Sequence, residues 1–135
     1  LNDGSTYNGE YKDGKKCGYG VFSWADGAVY RGNWLNDNLH GQGTYEWPDG
    51  RSYVGEWANN MLHGKGTYKW ADGKKYEGDY VNDKKHGYGV CTWPDGKVYA
   101  GGWVDGKQHG RATFSNAKGK SREGIWENGE RKEWI

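Results

Sequence analysis

The sequence predicts an all-β chain, an elongated single-layer antiparallel β-meander built from 23-residue hairpin repeats. Three observations predict it. Tyrosine recurs at Tyr7, Tyr30, Tyr53, Tyr76 and Tyr99, a fixed step of 23. Two kinds of turn signal alternate along every unit, about ten residues apart, leaving only strand-length segments between them. The composition is also that of a sheet without an aliphatic interior: 25 Gly, 9 Trp and 11 Tyr among 135 residues, while Leu, Ile, Val and Phe together number 15. Such aliphatic poverty would suggest disorder in a highly charged chain, but 19 basic residues balance 18 acidic ones and the aromatics supply apolar area. The glycines do not fall every third residue, which excludes collagen, and no long apolar run exists to span a membrane as a helix.

Each element follows from a column of the repeat. Glycine stands two residues after the tyrosine (Gly9, Gly32, Gly55, Gly78, Gly101, Gly124), and an aromatic two residues further on (Tyr11, Trp34, Trp57, Tyr80, Trp103, Trp126). Next comes a turn pair able to take positive φ: Asp13-Gly14, Asn36-Asp37, Asn59-Asn60, Asn82-Asp83, Asp105-Gly106 and Asn128-Gly129. Such pairs predict a two-residue type I′ hairpin. The return strand carries Gly18, Gly41, Gly64, Gly87 and Gly110, then Gly20, Gly43, Gly66 and Gly89, then Trp24, Trp47, Trp70 and Trp93. An Asp-Gly pair at 26–27, 49–50, 72–73 or 95–96 closes the unit as a type I turn with a left-handed glycine beside a bulge. Residues 1–6 read as the tail of a preceding unit, 7–121 as five repeats, and 122–135 as a partial repeat and C-terminal cap. In the last copies Arg122, Ala112, Asn116 and Lys118 replace the column residues. With no initiator Met, the numbering is expected to start inside a longer or processed protein.

Register is testable, because both turns must agree on the face of every side chain. Across Asn36-Asp37, simple outward pairing sets Trp34 against Leu39, Gly32 against Gly41 and Tyr30 against Gly43. Across Pro48-Asp49-Gly50 it sets Trp47 against Arg51, Tyr45 against Tyr53, Gly43 against Gly55 and Gly41 against Trp57. Both place Tyr30, Trp34, Tyr45, Trp47, Tyr53 and Trp57 on one face with the glycines. Arg31, Asn33, His40, Gln42, Thr44, Glu46 and Glu56 take the other. The glycines then serve as seats on which rings from the next strand lie against bare backbone.

The unit, Tyr30-x-Gly32-x-Trp34 followed by His40-Gly41-x-Gly43 and Asp49-Gly50, resembles the MORN (membrane occupation and recognition nexus) repeat over residues 3 to about 129. It departs from that pattern at Cys17 in the first His position, at Asp37, Asn60 and Asp83 in the mid-unit Gly position, and in the eroded fifth copy. The resemblance implies a curved single-layer sheet and a scaffold that organises cytoskeletal structures, tethers membranes or holds partner segments.

Chemistry-bearing residues weigh against catalysis. His40, His63, His86 and His109 form one column, but equivalent atoms of adjacent repeats lie roughly 9.6 Å apart, too far for one zinc. Register pairs Glu56 with His63 and Asp79 with His86, yet no nucleophile recurs beside them, so a structural hydrogen-bond role is expected. Cys17 and Cys91 are expected about 29 Å apart, beyond a disulfide, with Cys91 a small filler in the column of Phe22, Tyr45, Tyr68 and Phe114. The Gly-x-Gly pairs lack the third glycine and helix of a phosphate loop. No cofactor or metal is expected.

Three surfaces remain. The aromatic face, with Tyr30, Trp34, Tyr53, Trp57, Tyr76, Tyr80, Tyr99 and Trp103, is too long for one sheet to cover, and would grip a partner protein, for example an amphipathic helix. Leu39, Met61 and Leu62 add an apolar spot on the hairpin edge. Alternatively Lys15, Lys16, Lys74, Lys75, Lys84, Lys85 and Lys97 would meet anionic lipid. Asp13, Asp37, Asp72, Asp83 and Asp95 on the same turns cancel much of that field, which disfavours nucleic acid. The expectation is a non-enzymatic scaffold that binds a protein or a second copy of itself through the open strand edge. A phospholipid-apposition module is the alternative. Two cysteines without a disulfide framework suggest the cytoplasm, with cytoskeleton or membrane association.

Overall fold

Residues 3–135 are described in a computed structural model of the chain. Twelve strands follow one another: β1 (Thr6–Lys12), β2 (Lys15–Ser23), β3 (Val29–Leu35), β4 (Asn38–Glu46), β5 (Ser52–Ala58), β6 (Met61–Lys69), β7 (Lys75–Val81), β8 (Lys84–Thr92), β9 (Val98–Val104), β10 (Lys107–Ser115), β11 (Ser121–Glu127) and β12 (Glu130–Trp134). They pair antiparallel in chain order as one open sheet, with no helix among the described residues. At strand spacings near 4.8 Å the sheet extends on the order of 50 Å.

Both turn types form as their residues dictate. The two-residue turns carry positive φ at both positions, for example Asn59 at 50° and Asn60 at 70°, as type I′ requires. At the other end of each unit Gly27 N donates to Trp24 O at 3.0 Å with Gly27 at φ 100°, a type I turn ending in a left-handed glycine. Its aspartate accepts the N–H of the residue just before the next strand, as Asp26 Oδ1 does from Ala28 N at 2.9 Å.

The pairing across the Pro48-Asp49-Gly50 turn is the one read from the sequence. Across Asn36-Asp37 it is not: Trp34 faces Leu39, but Gly32 then faces Gly43 and Tyr30 faces Tyr45. Two extra residues bulge out of β4, with Gly41 at φ 75°, and the same shift recurs between β5 and β6 and between β7 and β8. A slip of two preserves side-chain parity, so the two faces survive the corrected register. Glu56 is consequently not held against His63. Its carboxylate accepts the Lys65 N–H at 2.6 Å, at the bulge.

The bulge also explains the tyrosine column. Tyr30 OH donates forward to Asn33 O at 2.9 Å, Tyr53 OH to Glu56 O at 3.1 Å, Tyr76 OH to Asp79 O at 3.0 Å and Tyr99 OH to Gly102 O at 2.7 Å. The phenol ring thereby lies diagonally over the glycine of the next strand. A Cβ at Gly43, Gly66 or Gly89 would overlap the ring of Tyr30, Tyr53 or Tyr76. Indole N–H groups tie repeats together, from Trp34 to Gly20 O at 3.2 Å, Trp57 to Gly43 O at 3.3 Å and Trp103 to Gly89 O at 3.2 Å. Each tyrosine also meets two rings edge to face, as Tyr53 meets Trp57 at 5.2 Å and Tyr80 at 5.6 Å.

A further joint uses the residues that depart from the repeat pattern. Asn60 N donates to Leu39 O at 3.0 Å while Asn60 Oδ1 accepts Leu39 N at 2.8 Å. Asp37 does the same with Lys16, and Asp83 with Leu62. In the two later joints Gly106 and Gly129 keep only the backbone half of this exchange, with Lys85 O and Gln108 O.

Candidate functional site

Above the buried floor the aromatic face carries a second row of rings. Phe22 meets Trp24 at 4.4 Å, Trp24 meets Tyr45 at 5.2 Å, Tyr45 meets Trp47 at 4.5 Å, Trp47 meets Tyr68 at 5.3 Å and Tyr68 meets Trp70 at 4.5 Å. Trp24, Trp47 and Trp70 close the ends of β2, β4 and β6 beside the Asp-Gly turns and stay half-buried, with Arg51 5.0 Å over the Trp47 ring. They wall a groove of about 630 Å³. The buried Trp57, Leu62 and Tyr80 supply its floor, and Asn60 and Asp83 its opposite wall.

The row stops at Cys91, which stands where the other repeats place a ring. Cys91 is only 1% exposed, and burial pushes its thiol up. Lys74 and Lys85 reach over the vacated place. Lys85 Nζ lies 5.4 Å from the Trp70 ring centre, 5.3 Å from Tyr76 and 5.6 Å from Trp103. Lys74 Nζ lies 4.7 Å from Trp70 and 5.9 Å from Trp93. Both therefore sit within cation–π range of the same indole.

The partner-contact residues expected from sequence lie deeper than expected. Tyr30, Tyr53, Tyr76 and Tyr99 have no exposed area, and Trp34, Trp57, Tyr80 and Trp103 are buried. A single sheet covers them because Tyr30, Tyr53 and Tyr76 lie over Gly43, Gly66 and Gly89 and each of the four tyrosines has an indole or phenol against its edge. Leu39 and Leu62 are buried too, paired with Trp34 and Trp57, while Met61 stays half-buried. In the same column Lys16 and Lys85 lay their aliphatic stems over the rings. The groove walls Trp24, Trp47 and Trp70 were not singled out. Their place beside a turn at a strand end was the signal that could have found them.

The lysines differ among themselves. Lys15, Lys84 and Lys97 are exposed; Lys16, Lys74, Lys75 and Lys85 are half-buried. Lys16 pairs with Asp37 at 3.7 Å, Lys75 with Glu77 at 2.8 Å and Lys97 with Asp95 at 3.4 Å. The other face of the sheet is also ion-paired, by Arg31–Glu46, by Lys65–Asp79 at 3.7 Å and by Arg111–Glu123 at 2.8 Å, with Tyr19 and Tyr88 exposed among them. His40 Nδ1 is buried without a hydrogen-bond partner, so that ring lacks the structural bond expected of its column. Cys17 and Cys91 are both free thiols.

The MORN repeat model matches the chain five times, at residues 7–29, 30–50, 53–75, 76–98 and 99–121. No curated protein sequence matches it closely enough to name as a relative. MORN repeats are modules of protein and membrane association, in a family that is generally non-catalytic. With five matched copies covering most of its length and an open hairpin meander as its fold, the chain belongs to the MORN repeat family.

Proposed function

We propose that this chain is a non-catalytic scaffold that holds a segment of a partner protein along the aromatic groove. The observation that carries the reading is the row Trp24, Trp47, Trp70, half-buried along one side of a groove of about 630 Å³ whose floor is already close-packed. The floor rings are buried against one another, whereas the wall indoles stay half-buried at the groove, and large rigid side chains bury area on binding at little entropic cost. From β2 to β8 the groove runs about 29 Å by strand spacing, the length of roughly five turns of helix. That suits an amphipathic helix laying one apolar face against the indoles.

Selection from a displayed library of random 20-residue peptides tests this. Ligands of the wild-type protein should lose binding with the Trp47→Ala/Trp70→Ala double variant and retain it with Tyr19→Ser/Tyr88→Ser on the opposite face. The opposite pattern would overturn the reading. So would a failure to select any peptide together with salt-sensitive binding to phosphatidylserine vesicles, which would favour the lysine-bearing turns and the phospholipid alternative.

A further inference from the structure

Among the described residues, every other cation laid over the aromatic face of repeats one to four has a carboxylate of its own. Lys16 stands in the column of Lys85 and pairs with Asp37 from the next repeat's turn. The residue that would serve Lys85 in that way is Gly106, which has no side chain and gives only its N–H to Lys85 O, at 2.9 Å. Arg51 and Lys97 stand in the column of Lys74, and each pairs with the aspartate of its own turn, Arg51 with Asp49 at 2.8 Å and Lys97 with Asp95 at 3.4 Å. For Lys74 that aspartate is Asp72, which holds only the backbone N–H, at 2.9 Å. Lys74 and Lys85 thus share one indole, and neither takes part in an ion pair among the described residues. The acid nearest to them in sequence on the groove wall, Asp83, spends its Oδ1 on Leu62 N at 2.7 Å. Burial, and after it the Lys74 charge, hold the Lys85 ammonium below its ordinary value of 10.5. Two like charges therefore lie over one ring with no ion-pair partner among the described residues.

We infer that Lys74 and Lys85 form a carboxylate subsite of the groove, so that the bound segment is acidic, with an Asp or Glu seated between the two ammonium groups and apolar residues running on past Trp70 toward Trp47. This rests on the groove being the binding surface. A partner protein fits better than a bilayer because Lys74 and Lys85 are half-buried residues, Lys85 lining the groove and Lys74 lying over its Trp70 wall, while Lys15 and Lys84 are exposed at the turns. A carboxylate so placed makes charge-assisted hydrogen bonds in partly desolvated surroundings, where they are strongest.

The same peptide library tests it when panned on three proteins: wild type, Lys74→Ala/Lys85→Gln, and Lys15→Gln/Lys84→Gln. Alanine and glutamine already occupy these columns at Ala28 and Gln108, so the fold accepts them. Wild type should enrich peptides with an acidic residue at a fixed spacing from apolar ones. Replacing that acid by its amide should weaken binding about tenfold to wild type and to the Lys15/Lys84 variant. It should make no difference to the Lys74/Lys85 variant. Peptides that compete at Trp70 without an acidic preference would overturn the subsite and leave the groove standing. An amide penalty that persists in the Lys74/Lys85 variant, or falls equally in the Lys15/Lys84 variant, would reduce it to general charge attraction and overturn it. No peptide ligand, with binding to phosphatidylserine vesicles lost in the Lys74/Lys85 variant, would assign the pair to a lipid headgroup and overturn subsite and groove reading together.

Discussion

Between repeats two and three the Asn60 side chain takes the Leu39 N–H and its backbone returns a bond to Leu39 O, whereas between repeats four and five Gly106 offers its N–H alone. The floor differs in the same direction. Tyr53 is locked over Gly66 and between Trp57 and Tyr80, while in the fifth repeat Ala112 fills the glycine seat and the Tyr99–Trp103 angle closes to 74°, against 86° and 87° in repeats two and three. In the sixth hairpin Arg122 replaces the tyrosine altogether, and Arg122 and Arg131 lie 4.8 Å and 4.4 Å from the Trp134 ring. One plan is thus executed with full side-chain cross-linking in the middle and with backbone and cations toward the end. In a solenoid whose stability sums intrinsic and neighbour terms, the joints in the middle then contribute more than those toward the C-terminus.

The largest way to test this contrast is alkali. Tyr53 and Tyr99 are each pushed up to about 12 by burial, and burial raises Tyr30, Tyr76 and Tyr80 as well. A tyrosine that stays neutral in the folded chain contributes stability that is complete below its ordinary value of 10.0 and is lost as pH rises through the folded value. Stability should therefore hold to about pH 10 and collapse cooperatively by about 12, with tyrosinate absorbance from these residues appearing together with the loss of far-ultraviolet structure. Gradual ionisation of all tyrosines near pH 10, with the sheet intact, would contradict a closed column.

Next in size is a pair of reciprocal substitutions in one glycine column. Gly66→Ala drives a methyl into the fully buried Tyr53 ring and should cost about 3 kcal/mol or more in urea unfolding. Ala112→Gly in the fifth repeat should cost only about 0.5–1 kcal/mol, through added chain freedom. Equal effects would mean that the middle and the C-terminal part of the sheet are packed alike.

Parity explains why so much of this is legible in the sequence. Turn chemistry at Asn36-Asp37 and at Asp49-Gly50 fixes which face Tyr30 and Trp34 take, and a two-residue bulge cannot change it. What parity does not register is the slip itself, because Gly41 reads equally well as a seat for a ring or as a left-handed bulge residue. The pairing of Glu56 with His63 failed for that reason. The site was harder to see than the fold. An aromatic column looks the same whether its rings are floor or wall, and only the extra strand at Trp57, against the turn at Trp47, separates them. Lys74 and Lys85 read in the sequence as lipid-facing turn lysines, because a sequence does not register that they share the Trp70 ring, that Asp72 is spent on a backbone N–H, or that Gly106 offers Lys85 no carboxylate.

A smaller effect comes from copying the C-terminal joint into the middle. Asn60→Gly keeps the left-handed backbone, since glycine adopts φ near 70° freely, and removes both the acceptor for Leu39 N and the donor to Asn38 Oδ1 at 2.8 Å. One partly buried backbone N–H then loses its partner, at about 1–2 kcal/mol. The loss should appear first as faster hydrogen exchange at Leu39. Unchanged exchange there would show that the side-chain half of the joint contributes nothing.

The smallest shift expected is a gain. Gly106→Asp writes the central joint into the C-terminal one: φ at Gly106 is 82°, close to the 70° that Asp83 adopts in the same turn, and a Cβ there meets no atom within 4 Å. The new carboxylate would accept Lys85 N as Asp83 accepts Leu62 N, and would face the Lys85 ammonium as Asp37 faces Lys16. Stability should rise by about 0.5–1 kcal/mol, and the Lys85 ammonium should return toward its ordinary range in a side-chain NMR titration. Such an internal acid also occupies the place proposed for a ligand's acid, so acidic peptides should bind the variant more weakly while their amide counterparts bind as before. A variant that is more stable yet still discriminates acid from amide as wild type does would show that the ligand carboxylate sits elsewhere. The joint and the subsite would then be separate uses of one lysine.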